Sequence, residues 1–149
     1  MKVAFINDRI YSYATADRSA VGGSERQQWL LARALASSGW SVYVGLRQYL
    51  RLGEHRTIDG VEFHGIKQGH FLLDWYRFLS STRPDWLYLR EASHLIGPLV
   101  QTAHLNGAKT IFAAAFDTDV KPRAALTRRQ RWWPLYAWGL SKTEWLFSS

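Results

Sequence analysis

The sequence predicts an α/β fold: a doubly wound, mostly parallel sheet between two helix layers, with a small antiparallel excursion around residues 54–66. Three observations predict it. Short apolar runs ending in polar residues alternate with segments whose apolar residues recur at helical spacing. The one tight hairpin signal is Asp59-Gly60, so the remaining strands need helical crossovers. The chain of 149 residues is 47% hydrophobic with 22 aromatic residues, enough to bury a core without staples and too much for disorder. One domain is the expected count.

The elements follow in order. Lys2 to Asn7 is an apolar run of the kind buried on both faces of a parallel sheet. Asp8 to Gly23 reads as a polar loop, long for a strand-to-helix connection and therefore a place for function. Ser24-Glu25-Arg26-Gln27 fits a capping box, and Leu30, Leu31, Ala34 and Leu35 continue a helix over 25–38 that Gly39 ends. Ser41 to Leu46 is the next strand, completing a right-handed parallel unit. Asp59-Gly60 then joins Arg56-Thr57-Ile58 to Val61-Glu62-Phe63 as a hairpin.

Phe71, Leu72, Trp75, Phe78 and Leu79 mark a second helix, closed before Pro84 because the residue preceding proline is disfavoured in a helix. A strand over Trp86 to Leu89, a helix over His94 to Asn106 and a strand over Lys109 to Ala115 continue the alternation. Asp117 to Pro122 reads as a loop, Arg123 to Leu140 as a basic, tryptophan-rich helical segment broken near Pro134, and Trp145 to Ser148 as a strand. A doubly wound domain that stops on a strand reads as unfinished.

Composition excludes several classes. Without cysteine there is no disulfide framework, thiol nucleophile or thiolate metal site, and a reducing, cytoplasmic setting is compatible. The four apolar residues Val3 to Ile6 are too few for a signal-peptide core, which needs about 7 to 15. The five histidines lack H-x-x-x-H spacing, so no metal is expected. The net charge of +7 comes mostly from arginine, 14 of the 19 basic residues, which points to an anionic partner without saying which.

Three constellations can carry chemistry. Gly22-Gly23-Ser24 stands at a strand-loop-helix junction, where glycines allow close approach and a helix N-terminus suits phosphate. Two readings stay open: ligand contact, or glycines that only make the turn. No dinucleotide or P-loop fingerprint is present, and Leu46-Arg47 stands where a dinucleotide site wants an acid. The predicted strand ends carry Asn7-Asp8-Arg9, Arg90-Glu91 and Asp117-Thr118-Asp119, and Asp117 is favoured as the acid of a site there. Finally Arg128, Arg129 and Arg131 run into Trp132 and Trp133. That mixture suits an anionic membrane face or a neighbouring domain, with nucleic acid well behind.

Met1-Lys2-Val3-Ala4-Phe5-Ile6-Asn7, Gly22-Gly23-Ser24-Glu25-Arg26 and Ser38-Gly39-Trp40-Ser41-Val42-Tyr43-Val44 together resemble the N-terminal domain of family 4 glycosyltransferases with the GT-B fold. Pro84 to Tyr88, Asn106 to Ile111 and Tyr136 to Ser148 fall in the family's order, so the resemblance spans nearly the whole chain. It implies two facing Rossmann-like domains, this one on the acceptor side and a C-terminal donor-binding domain not included. It also implies hexosyl transfer from a nucleotide sugar to a sugar or lipid-linked acceptor, without a cofactor or metal. Gly22 and Gly23 match the loop facing the cleft. Phe116-Asp117 departs from the histidine many members carry at that strand end. Glu54 and Glu62 have the spacing of the family's donor-side acidic pair but flank the hairpin, an accidental match. The expectation is an enzyme half, inactive alone; the rival is a non-catalytic module docking on anionic membrane, at the inner face, or on a partner through residues 121–138.

Overall fold

The computed structural model describes residues 1–17, 22–90, 92–125 and 130–147. Seven strands form one sheet in the order β3-β4-β2-β1-β5-β6-β7. They are β1 (Lys2–Ile6), β2 (Ser41–Leu46), β3 (His55–Ile58), β4 (Val61–Gly65), β5 (Trp86–Arg90), β6 (Lys109–Ala113) and β7 (Trp145–Phe147). All neighbours pair in parallel except β3, which runs antiparallel to β4. The hairpin signal holds because Asp59 (φ 49°) and Gly60 (φ 79°) both take the left-handed conformation a tight two-residue turn requires.

The helices are α1 (Ile10–Ala14), α2 (Gly23–Ser37), α3 (Phe71–Thr82), α4 (Ile96–Leu105), α5 (Pro122–Ala125) and α6 (Trp133–Ser141). They lie in two layers, as the alternation of the central strands dictates. On β1, Val3 and Phe5 join Tyr11, Trp29 and Ala32 of α1 and α2 in one core. Ala4 points the other way, into a core with Trp75, Leu79, Val100 and Tyr136 of α3, α4 and α6. The doubly wound, three-layer Rossmann-like architecture is thereby established.

Three local expectations are corrected. The segment expected as a loop after β1 contains α1, whose Ile10 and Tyr11 are buried. A five-residue helix shows too little periodicity to be read from sequence. Helix α2 begins at Gly23 with Gly22 as its cap, and the Ser24–Gln27 capping box does not form. Gly22 has φ 142°, and a Cβ there would overlap the Glu25 carboxylate, which folds back over the helix start, where its charge suits the positive end of α2. Residues Asp117–Val120 form a turn of 3-10 helix rather than a plain loop. The break expected near Pro134 falls just ahead of it: α6 starts at Trp133 with Pro134 second, where its missing N–H is no loss in a first turn.

Helix α6 seats on α4 through two glycines: a Cβ on Gly139 would fall 2.6 Å from the Gly97 Cα, and one on Gly97 would fall 2.7 Å from the Leu135 carbonyl oxygen. The chain runs outward from β1 through β2 to β4, then crosses back to β5 on the other side of β1. That reversal leaves the loops after β1 and β5 diverging, and opens a crevice at the carboxyl ends of the two central strands.

Candidate functional site

The crevice is built from the loops that leave β1, β5 and β6. At the end of β1, Asn7 Oδ1 accepts the Arg9 amide at 3.0 Å, and Asp8 Oδ1 accepts the Arg47 amide at 2.7 Å, which ties β1 to the end of β2. Burial pushes the Asp8 carboxyl above its usual range, against the Arg47 and Gln48 amides and the Arg47 charge, which pull it down. Helix α1 then turns the chain back toward α2, and the Tyr13 hydroxyl donates to the Gly22 carbonyl at 2.8 Å.

The start of α2 carries two glycines with different tasks. Gly22 makes the turn. Gly23 is exposed, has nothing within 4 Å of where a Cβ would stand, and lines a cleft of about 490 Å³ with Ser24 and Gln27. Glu25, buried at the same helix end, is met by Arg9 at 3.3 Å, so part of the positive pole of α2 is already answered by the protein's own carboxylate.

Arg90, at the end of β5, lines the same cleft. Its Nη2 donates to Gln27 Oε1 at 2.6 Å, while its buried Nε finds no partner among the described residues. A buried guanidinium donor left unpaired costs free energy.

The third wall comes from the turn after β6. Asp119 is buried, and its Oδ2 accepts the Ala115 and Phe116 amides at 2.8 and 3.0 Å. Its backbone carbonyl accepts the Tyr136 hydroxyl at 2.6 Å. Burial first, and then the charge of Asp119, push the Tyr136 hydroxyl above its ordinary range, so it stays a donor.

The predicted residues are therefore placed unequally. Gly23, Ser24 and Arg90 come together in one cleft. Gly22 is half-buried beside it, under Glu25. Asp117 is exposed at the start of its 3-10 turn and is not among the residues lining the cleft, whereas Asp119, two positions on, is. Glu91, Arg128 and Arg129 lie outside the described residues.

Arg131 stacks over Trp132 at 5.4 Å and Arg123 over Trp133 at 4.7 Å. Trp132 and Trp138 remain 39% and 40% exposed. Glu54 and Glu62 sit on the β3–β4 side of the sheet, away from this cleft. Sequence reasoning named Asp119 only behind Asp117 and gave Glu25 no role of its own, because both are acids that the fold buries. The signal for Asp119 was the turn after β6, whose amides it accepts.

Among the described residues, no three His, Cys, Asp or Glu side chains are grouped to hold a metal ion. No helix among them is long and apolar enough to cross a membrane.

The fold has solved counterparts. The chain is similar to a sucrose-phosphate synthase from Thermosynechococcus elongatus, with a TM-score of 0.66 at 13% identity over 98% of this chain and 41% of that one. It is also similar to a putative UDP-N-acetylglucosamine 2-epimerase from Listeria monocytogenes, with a TM-score of 0.54 at 11% identity over 99% of this chain and 39% of that one. At such identities the likeness is one of fold. The chain spans about two fifths of the length of either structure. No protein-family model matches the sequence, and no curated protein does.

Proposed function

We propose that this chain is one lobe of a GT-B glycosyltransferase, which moves a hexosyl group from a nucleotide sugar to an acceptor hydroxyl once a second Rossmann-like lobe completes the donor site. One observation carries the reading: the Gly23–Ser24 helix start and the half-satisfied Arg90 share a single cleft at the point where strand order reverses. The fold likeness to a sucrose-phosphate synthase and to a putative UDP-N-acetylglucosamine 2-epimerase, each covered for about two fifths of its length, supports it.

In the reaction the acceptor oxygen bonds to the anomeric carbon, the anomeric bond to the diphosphate breaks, and the hydroxyl proton is released. Charge develops on the departing diphosphate. The first amides of α2 and the Arg90 guanidinium are the donors assigned to it, without a metal. Asp117, exposed beside Phe116 at the rim, is assigned to the acceptor side, where the second lobe would close over it.

Titration of the chain with UDP and UDP-glucose, followed by amide chemical shifts, tests the assignment. Shifts at Gly23, Ser24 and Arg90 that weaken in Arg90→Gln are expected, without turnover. Absence of shifts at these amides removes the diphosphate assignment, and turnover by the chain alone removes the need for a second lobe.

A second reading, docking on an anionic membrane face, is favoured by the exposure of Trp132 and Trp138 beside Arg123 and Arg131. Co-sedimentation with anionic vesicles that is lost in Trp132→Ala/Trp133→Ala, with no UDP shift, would prefer it.

A further inference from the structure

The β3–β4 hairpin carries a pair of histidines that the transferase reading does not use. The turn at Asp59-Gly60 sets the register, and His55 stands directly opposite His64. The Gly65 amide donates to the Glu54 carbonyl at 2.9 Å, so Glu54 and Gly65 are a hydrogen-bonded pair and their neighbours His55 and His64 are a non-bonded one. Side chains on one face of a sheet come closest at such non-bonded pairs. The two imidazole centroids are 4.2 Å apart with the rings at 69°, and both residues line a cavity of about 300 Å³ between the hairpin and α3.

We propose that His55 and His64 chelate one divalent transition-metal ion across the hairpin, of the kind that takes imidazoles at right angles, as Ni²⁺ and Cu²⁺ do. The spacing selects the geometry. Nitrogens about 2.1 Å from a common ion place ring centroids about 4.5 Å apart at a right angle and about 5.2 Å apart at a tetrahedral one. The observed 4.2 Å lies on the right-angled side, which suits tetragonal or octahedral ions better than zinc. Mg²⁺ prefers oxygen ligands and gains little from imidazole.

The surroundings fit such an ion. His64 is held edge-on between Tyr43 at 5.7 Å and Phe78 at 5.6 Å, which fixes its ring. Its Nε2 meets Glu62 Oε2 at 3.3 Å. With that carboxylate as acceptor, the proton sits on Nε2 and the Nδ1 lone pair is left for a metal, the usual carboxylate–histidine–metal arrangement. His55 is exposed, so its ring can adjust to an incoming ion. Burial, and then the charge of His55, hold His64 below its ordinary range, which keeps it neutral and able to ligate near neutral pH.

Two other charged residues line the cavity and are already engaged. Asp74 is paired with Arg47 at 3.3 Å, and Arg77 donates to Gln68. Because no three His, Cys, Asp or Glu side chains are grouped among the described residues, water is left to fill the ion's remaining positions. The site shares no residue with the cleft of Ser24 and Arg90, and it stands or falls independently of the transferase reading.

The test is calorimetric titration of the full chain near neutral pH, in a buffer that binds no metal, with NiCl₂, ZnCl₂ and MgCl₂ as separate probes. One Ni²⁺ per chain is expected, bound more tightly than Zn²⁺ and without Mg²⁺ binding, together with a higher Tm in Ni²⁺. His55→Ala and His64→Gln should each weaken Ni²⁺ binding by about tenfold or more. The double variant should be no weaker than either single, since losing one ligand already opens the chelate. His70→Gln, an exposed histidine off the hairpin, should bind Ni²⁺ unchanged. His55 is exposed, so His55→Ala probes the site even where His64→Gln unsettles the fold. No saturable Ni²⁺ binding, Zn²⁺ bound more tightly than Ni²⁺, unchanged affinity in His55→Ala, or additive losses in the double variant overturns the proposal.

Discussion

Arg90 Nη2 donates to Gln27 Oε1 at 2.6 Å, joining the last residue of β5 to α2 just past its first turn. The strand that carries the cleft's guanidinium and the helix that carries its amides are thus held in register by one side-chain bond. Because Arg90 Nε is buried and unpaired among the described residues, the arginine is held at some cost to the fold. Arg90→Met should leave stability unchanged or raise it by up to about 1 kcal/mol, while UDP binding falls. Urea denaturation beside a UDP titration reads both; a large loss of stability would mean that the arginine is structural.

The two glycines of α2 separate a folding role from a site role. Gly22→Ala forces a side chain into φ 142° and against the Glu25 carboxylate, so a loss of about 1 to 3 kcal/mol is expected. Gly23 stands in the helix with open space around it, so Gly23→Ala should gain up to about 1 kcal/mol from helix propensity while narrowing the cleft. Thermal unfolding of the two variants is predicted to shift in opposite directions, and a parallel shift refutes the division.

Much of the architecture was legible because its physics is local. Val3-Ala4-Phe5-Ile6 is apolar at every position, as a strand covered on both faces must be, and Asp59-Gly60 names its own turn. Illegible features depend on partners distant in sequence. Glu25 is a surface residue by type and becomes buried at the start of α2, beside Gly22 and paired with Arg9. Asp117 and Asp119 are equivalent by composition, and the fold sends one outward and closes the β6 turn with the other. Gly23, Ser24 and Arg90 could be grouped from the rule that ligands gather at strand ends.

The seat of α6 on α4 admits no side chain at either glycine. Gly97→Ala would press on the Leu135 carbonyl and Gly139→Ala on the Gly97 backbone, neither of which is a flexible side-chain end. Each should cost about 1 to 3 kcal/mol. The pair should also be non-additive, since both changes demand the same helix separation. A double-mutant cycle by chemical denaturation checks it, with full additivity as the refuting result.

Acid should weaken the fold in two steps, each with its own residue. His64 is held below its ordinary pKa of 6.5, by burial first and then by the charge of His55, although Glu62 pulls it upward. The unfolded chain therefore binds this proton more readily, and stability falls as pH drops below 6.5 toward the lowered value. Glu144 is held below its ordinary 4.5: burial works to raise it, but the Thr110 amide and hydroxyl and His104 outweigh that. Its contribution is present above 4.5 and is lost as pH falls through the lowered value. Asp8, raised from 3.8 by burial, works the other way, since the fold takes up its proton first. Urea midpoints measured from neutral to acid pH should therefore lose the upper step in His64→Gln and the lower step in Glu144→Gln, while Asp8→Asn steepens the decline. An unchanged profile in His64→Gln would show that the histidine pair does not discriminate against protonation.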